Sequence, residues 1–153
     1  MGEYHRITRE CTLDSMRPEL AAAIRNHIEK YGLEGVETSV LMCCETVSTK
    51  QKKSLFSRKT EVVLLGAFLT SKWLIWAVGK ENEVPGVLST RLDDIRVEDY
   101  EDTQMYKMIQ DTGVNVLGLR VEEGSAGSAF IGLGPEPASQ KFREMLKEAI
   151  KKV

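Results

Sequence analysis

The residues best suited to chemistry lie between positions 50 and 59, in KQKKSLFSRK. Lys50, Lys52, Lys53, Arg58 and Lys59 place five cations in ten residues, with no acid among them and Leu55-Phe56 at the centre. Cations at this density attract anionic headgroups, and each Lys or Arg near an anionic membrane is worth about 1 kcal/mol. The apolar pair is suited to entering the interface while the cations hold the headgroups. The expected anionic-ligand residues are therefore Lys50, Lys52, Lys53, Arg58 and Lys59, with Leu55 and Phe56 at the membrane interface. Nucleic acid is not expected, because Phe56 is the one aromatic residue in the stretch that would stack a base. The chain as a whole carries a net charge of −2, so it has no global basic field.

A second charged run, residues 93–102, holds six acids against the single base Arg96. Asp93-Asp94 and Glu98-Asp99 offer paired carboxylates, but a general acid needs burial to raise its pKa. A run this dense is expected to be a solvated face or edge. The glycine-rich GSAGSAFIGLGPEP ends in Gly132-x-Gly134, with Pro137 where a dinucleotide fingerprint requires its third glycine. Glycines at hairpin corners account for it better. No G-x-S-x-G elbow, Walker motif or H-E-x-x-H is present. Cys43 and Cys44 are adjacent and on a strand point to opposite faces. With Cys11 they read as small hydrophobes in a reducing cytoplasm rather than a disulfide framework. His5 and His27 lack metal-ligand spacing, and His27 reads as a packed or rim residue. The expectation is a non-enzyme with no catalytic residue, metal or cofactor. The start, MGEYHRITRE, lacks an apolar signal region, so a cytoplasmic location is expected.

The elements that must position these residues follow from periodicity. Residues 61–78, EVVLLGAFLTSKWLIWAV, have only Glu61 and Lys72 as charges. A membrane span is a poor fit, because Lys72 sits near the middle beside Thr70 and Ser71. Two apolar strands with a turn at Thr70-Ser71 fit better. Upstream, the segment to about Leu13 is polar and expected to be extended or partly disordered. A helix follows, capped by Ser15 and stopped by Gly32, with Leu13, Met16, Leu20, Ala23, Ile24, Ile28 and Tyr31 forming one stripe. Residues 38–47 read as a strand with Val40, Met42 and Cys44 on one face, and 48–60 as a long loop. Further strands are expected at 87–92 and 95–99, or as one bent strand across both, and at 115–122 and 128–133, while 103–112 fits a short helical turn or an irregular strand. Ser139 then caps a final helix with Phe142, Met145, Leu146, Ala149, Ile150 and Val153 on one stripe. With 153 residues, 42% hydrophobic and 29% charged, this is one α+β domain of about seven strands between two helices.

The hairpin Phe68-Leu69-Thr70-Ser71-Lys72-Trp73-Leu74-Ile75-Trp76 and the later Leu92-Asp93-Asp94-Ile95-Arg96-Val97 resemble motifs of the pleckstrin-homology-like superfold, including its bacterial PH and GRAM-like families. The resemblance spans residues 36–153 and implies a partly open seven-stranded antiparallel barrel of two nearly orthogonal sheets. It also implies that the helix over 140–153 plugs one end. Such domains are platforms for lipids, peptides or proteins, and many grip phosphoinositides with basic residues around the loop joining their first two strands. The cations at 50–59 fall in that region, although their spacing departs from the family's K-x(n)-(K/R)-x-R pattern. Residues 1–34 are an extension whose helix is expected to pack on the barrel or on a second copy. The expected function is a non-enzymatic PH-like binding or scaffold module contacting anionic lipid headgroups through residues 50–59. The alternative is a protein-interaction or self-association module using a strand edge or the N-terminal helix, with a protein partner or a homo-oligomer.

Overall fold

Residues 61–78 form two strands and a tight turn, and they lie at the heart of a five-stranded sheet. The computed structural model describes residues 4–33, 35–53, 58–120 and 126–153, without the side chains of 51–53, 58, 59 and 126. In chain order the main elements are β1 (His5–Cys11), α1 (Pro18–Lys30), β2 (Val40–Lys53), β3 (Arg58–Thr70), β4 (Trp73–Lys80) and β5 (Gly86–Arg91). Then come β6 (Arg96–Asp99), a short α2 (Met105–Met108), β7 (Gly113–Arg120), β8 (Ala126–Gly132) and α3 (Pro137–Lys151). Two antiparallel sheets result, ordered β1-β2-β3-β4-β5 and β6-β7-β8. Both are open sheets. Among the described residues no ladder joins them, so a continuous seven-stranded barrel gives way to eight strands in two layers.

The long apolar run of β3 and β4 has a simple cause: both faces of the sheet are covered. On one face, Met42, Cys44, Leu65, Ala67, Leu69, Leu74 and Trp76 pack against Val114, Val116 and Ile131 of the smaller sheet and Phe142, Leu146 and Ala149 of α3. On the other, Cys43, Leu64, Phe68, Ile75 and Ala77 pack against Met16, Leu20, Ala21 and Ile24. Successive strand residues point to opposite faces, so two-sided burial removes the apolar–polar alternation. Gly66 is the point of closest approach. A Cβ there would lie 2.7 Å from the Met16 sulfur and 3.4 Å from the Leu20 Cβ, so the missing side chain leaves room for Met16 and α1 against the sheet.

Several expectations need correction. The polar N-terminal segment takes the extended form of the two expected, but as strand β1, paired along its length with β2 from His5↔Thr49 to Cys11↔Cys43. Its polar side chains mislead because they are matched across the fold. Thr8 Oγ1 lies 2.8 Å from Thr46 Oγ1, Arg9 bonds Glu45, and Lys141 bonds Glu10. Residues 48–60 are likewise not one long loop, since β2 runs to Lys53 and β3 starts at Arg58. Ser15 does not cap α1, which starts at Pro18. Its hydroxyl instead accepts from the Thr12 N–H at 2.8 Å, closing the turn before the helix. Ser139 does not cap α3 either, because Pro137 opens that helix with its fixed φ and Ser139 is buried inside the first turn. Residues 103–112 take the helical of the two expected forms, as the short helix α2. In β7, Gly118 has φ +85° at the bulge between Leu117 and Leu119, where a Cβ would come 2.9 Å from the Asp94 carbonyl oxygen.

Candidate functional site

The β2–β3 ladder outruns its neighbours. β1 pairs with β2 only as far as Thr49, and β4 pairs with β3 only as far as Val63. Beyond those points the rungs Lys50↔Glu61, Gln51↔Thr60, Lys52↔Lys59 and Lys53↔Arg58 belong, among the described residues, to β2 and β3 alone. At about 3.4 Å per residue, this two-stranded arm extends roughly 10 Å past the sheet. The register sets Lys52 opposite Lys59 and Lys53 opposite Arg58. Like charges directly opposite one another destabilise an antiparallel pair. Four of the five sequence-predicted cations therefore lie on two adjacent rungs, although their side chains fall outside the described structure. Leu55 and Phe56 lie outside the described residues altogether.

Lys50 stands apart from the other four, opposite Glu61 and with its Nζ 5.4 Å from the centre of the Tyr4 ring. Tyr4 donates its hydroxyl to Glu61 at 3.1 Å, and Lys80 Nζ is 3.2 Å from the same carboxylate. Burial first, and then the bond to Glu61, raise the Tyr4 hydroxyl above its ordinary pKa. The Lys80 ammonium is raised chiefly by its hydrogen bond to Glu61.

Next to this base lies a residue that sequence reasoning missed. Arg6 of β1 donates to both oxygens of Asp111 at 2.9 and 2.8 Å and to Ser48 Oγ at 2.6 Å. Its guanidinium also sits 4.7 Å from the Tyr4 ring centre and 5.5 Å from that of Phe130. Gly132 leaves it room, since a Cβ there would lie inside the guanidinium's contact distance. A small cavity of about 180 Å³, lined in part by Tyr4, Arg6, Ser48 and Phe130, opens where the two sheets part. Arg6 thus joins β1, β2 and the segment before β7, a bidentate pairing of a kind only arginine makes. The available signal was one arginine in a polar segment, with no local pattern to mark its partner 105 residues away.

The acid run does not behave as a solvated face throughout. Asp99 accepts from Arg143 at 2.9 Å and from Lys147 at 2.7 Å, and Glu101 pairs with Arg143 at 2.8 Å. Arg143 also donates to the Gly113 carbonyl. Partial burial would raise the Asp99 carboxyl, but the bonds from Lys147 and Arg143 outweigh it and hold the pKa below the usual carboxylate range. Asp93 pairs with Arg91, and Asp94 with Arg120. Asp99 and Glu101 fasten α3, and Asp94 reaches Arg120 of the smaller sheet, whereas the Asp93–Arg91 pair is local and exposed.

Glu45 is a second missed residue. Its carboxylate is buried on the α1 face, accepting from Arg9 Nε at 3.0 Å and from the Arg17 backbone N–H at 2.7 Å at the start of α1. Glu136 does similar work at the sheet edge, accepting from the Thr8 backbone N–H at 2.7 Å. His27 lies between α1 and β5, with Nε2 2.8 Å from Ser89 Oγ. Burial, and secondarily Lys30, lower its pKa. A wider groove of about 670 Å³ runs between α1 and residues 81–85, but Glu19, Glu81 and Glu83 line it, opposite in sign to the arm. Among the described residues no three of His, Cys, Asp and Glu come together to hold a metal ion, and no helix is long and apolar enough to cross a membrane. No protein-family model, curated protein or solved structure matches the chain.

Proposed function

We propose that this protein is a non-enzymatic PH-like binding module whose β2–β3 arm engages anionic lipid headgroups. The observation that carries the reading is the register Lys52↔Lys59 and Lys53↔Arg58 on an arm that, among the described residues, pairs with no third strand. Such rungs gain nothing from like-charge pairing, and a bound anion would relieve the repulsion. The PH-like assignment draws support from the order of elements. The four strands β2–β5, the three strands β6–β8 and the closing helix α3 follow the sequence that the resemblance implies, with β1 and α1 as additions. In this reading Leu55 and Phe56 enter the interface between the cations. The experiment is co-sedimentation with phosphatidylserine-containing vesicles at low salt. Binding that is lost on reversing Lys52, Lys53, Arg58 and Lys59 to Glu supports the reading. Binding that is absent, or indifferent to the reversal, overturns it.

A second reading, association with a protein or a second copy, is narrowed by the fold. The apolar stripe of α1 is already covered by the sheet, and Glu136 occupies the Thr8 N–H at the β1 edge. The β5 edge, with Leu88 46% exposed and Val84 93% exposed just before it, is the place this reading would use. Light scattering that gives a monomer mass at every concentration removes the self-association form.

A further inference from the structure

Cys11 ends β1 and Cys43 lies in β2, and the register places them directly opposite each other. Directly opposed residues of an antiparallel pair have Cα atoms about 4.5–5.5 Å apart, within the roughly 4.4–6.8 Å range that a disulfide spans. Both cysteines belong to the same face: Cys43 is part of the core beneath α1, and Cys11 packs against it. Cys44 points the other way, into the core shared with the smaller sheet and α3. A cavity of about 370 Å³ is lined by both Cys11 and Cys43, with the exposed Asp14 and Leu41 also on its wall. Two thiols in disulfide register, on one face and reached by one cavity, form more than a pair of core-filling side chains.

We propose that Cys11 and Cys43 are a dithiol modification site, converted to an intramolecular cross-strand disulfide by low-molecular-weight disulfides such as oxidised glutathione. Cys11 is half-buried and Cys43 buried, so Cys11 reacts first. Its thiol gives a proton to solvent, and the thiolate attacks one sulfur of the small disulfide, expelling the other half as a thiolate. The Cys43 thiolate then attacks the Cys11 sulfur of the mixed disulfide and expels the second half. Two protein thiols are oxidised, one small disulfide is reduced to two thiols, and no other oxidant is needed. The bond fixes the edge strand β1 to β2 beside the turn that leads into α1. Burial pushes the Cys11 thiol up to about 11 and the Cys43 thiol up to about 12, so the reaction is slow at neutral pH. Its rate rises about tenfold per pH unit below those values, because the thiolate is the attacking species.

The test incubates the folded full chain with oxidised glutathione at mildly alkaline pH, followed by alkylation, digestion and mass spectrometry. The expected product joins the Cys11 and Cys43 peptides, about 2 Da lighter than their sum. Fragmentation between residues 43 and 44 should place the alkyl label on Cys44. In parallel, Cys43→Ala should accumulate one glutathione on Cys11, since the resolving thiol is gone. The proposal is overturned if Cys11 and Cys43 both remain alkylatable, if Cys11 is joined to Cys44 or to a second chain, or if Cys43→Ala retains no more glutathione than the wild type.

Discussion

The two ends of the β2–β3 ladder share one backbone geometry and differ in almost everything else. At the inner end, Cys43↔Phe68 and Cys44↔Ala67 are closed in by α1 on one face and by the smaller sheet and α3 on the other. At the outer end, among the described residues, the rungs Lys52↔Lys59 and Lys53↔Arg58 have no ladder to another strand. The inner rungs are stabilised by burial of apolar surface, about 25 cal/mol per Å². The outer rungs oppose like charges. What the contrast teaches is that the inner sequence is dictated by packing, whereas the outer sequence works against strand pairing and calls for another explanation. The proposed anion binding would supply one.

The largest expected effect breaks the inner end. Phe68→Ala removes a side chain with no exposed surface and should cost about 3–5 kcal/mol in urea unfolding. Gly66→Val forces a side chain onto Met16 and should cost about 1–3 kcal/mol, with α1 losing hydrogen-exchange protection first. If α1 instead keeps full protection, the close approach at Gly66 is not what seats the helix.

A pH effect sharpens the same side of the comparison. The folded protein holds the His27 pKa below 6.5, the ordinary value that the unfolded chain retains. The unfolded state therefore binds more protons, and stability should fall as pH drops through about 6.5 toward the depressed folded value. Asp99 acts in a lower window. Its contribution is complete above the ordinary carboxylate pKa of about 3.9 and is lost as pH falls through its depressed value. Urea midpoints measured about one unit either side of pH 6.5 should differ in the wild type and converge in His27→Gln.

The smallest effect on stability belongs to the outer end. Lys59→Glu converts Lys52↔Lys59 into an opposite-charge rung, so stability should hold or rise by about 0.2–1 kcal/mol.

The same contrast governs how much could be read from sequence. The central hairpin and the apolar stripes of α1 and α3 were legible because burial writes periodicity into the chain. The charged cluster at 50–59 was legible as composition, but its strand register was not. Polar residues such as Thr49, Gln51 and Thr60 look the same in a loop and in an arm. Strand β1 was missed for a related reason: its cohesion comes from Arg6 with Asp111, Thr8 with Thr46, and Arg9 with Glu45. Each of those partners is distant in sequence, and no local pattern announces a pairing that only the tertiary fold creates. The acid run was read correctly at the exposed Asp93, Glu98 and Asp102 but not at Asp99, since its partners Arg143 and Lys147 lie more than forty residues further on.

The account is tested most directly by the affinity of Lys59→Glu for phosphatidylserine vesicles, read alongside its urea midpoint. The prediction is an affinity lower by about tenfold or more, from two units of charge at roughly 1 kcal/mol each, with a midpoint equal to or above that of the wild type. Unchanged vesicle affinity, or a loss of affinity that tracks a loss of stability, would contradict it.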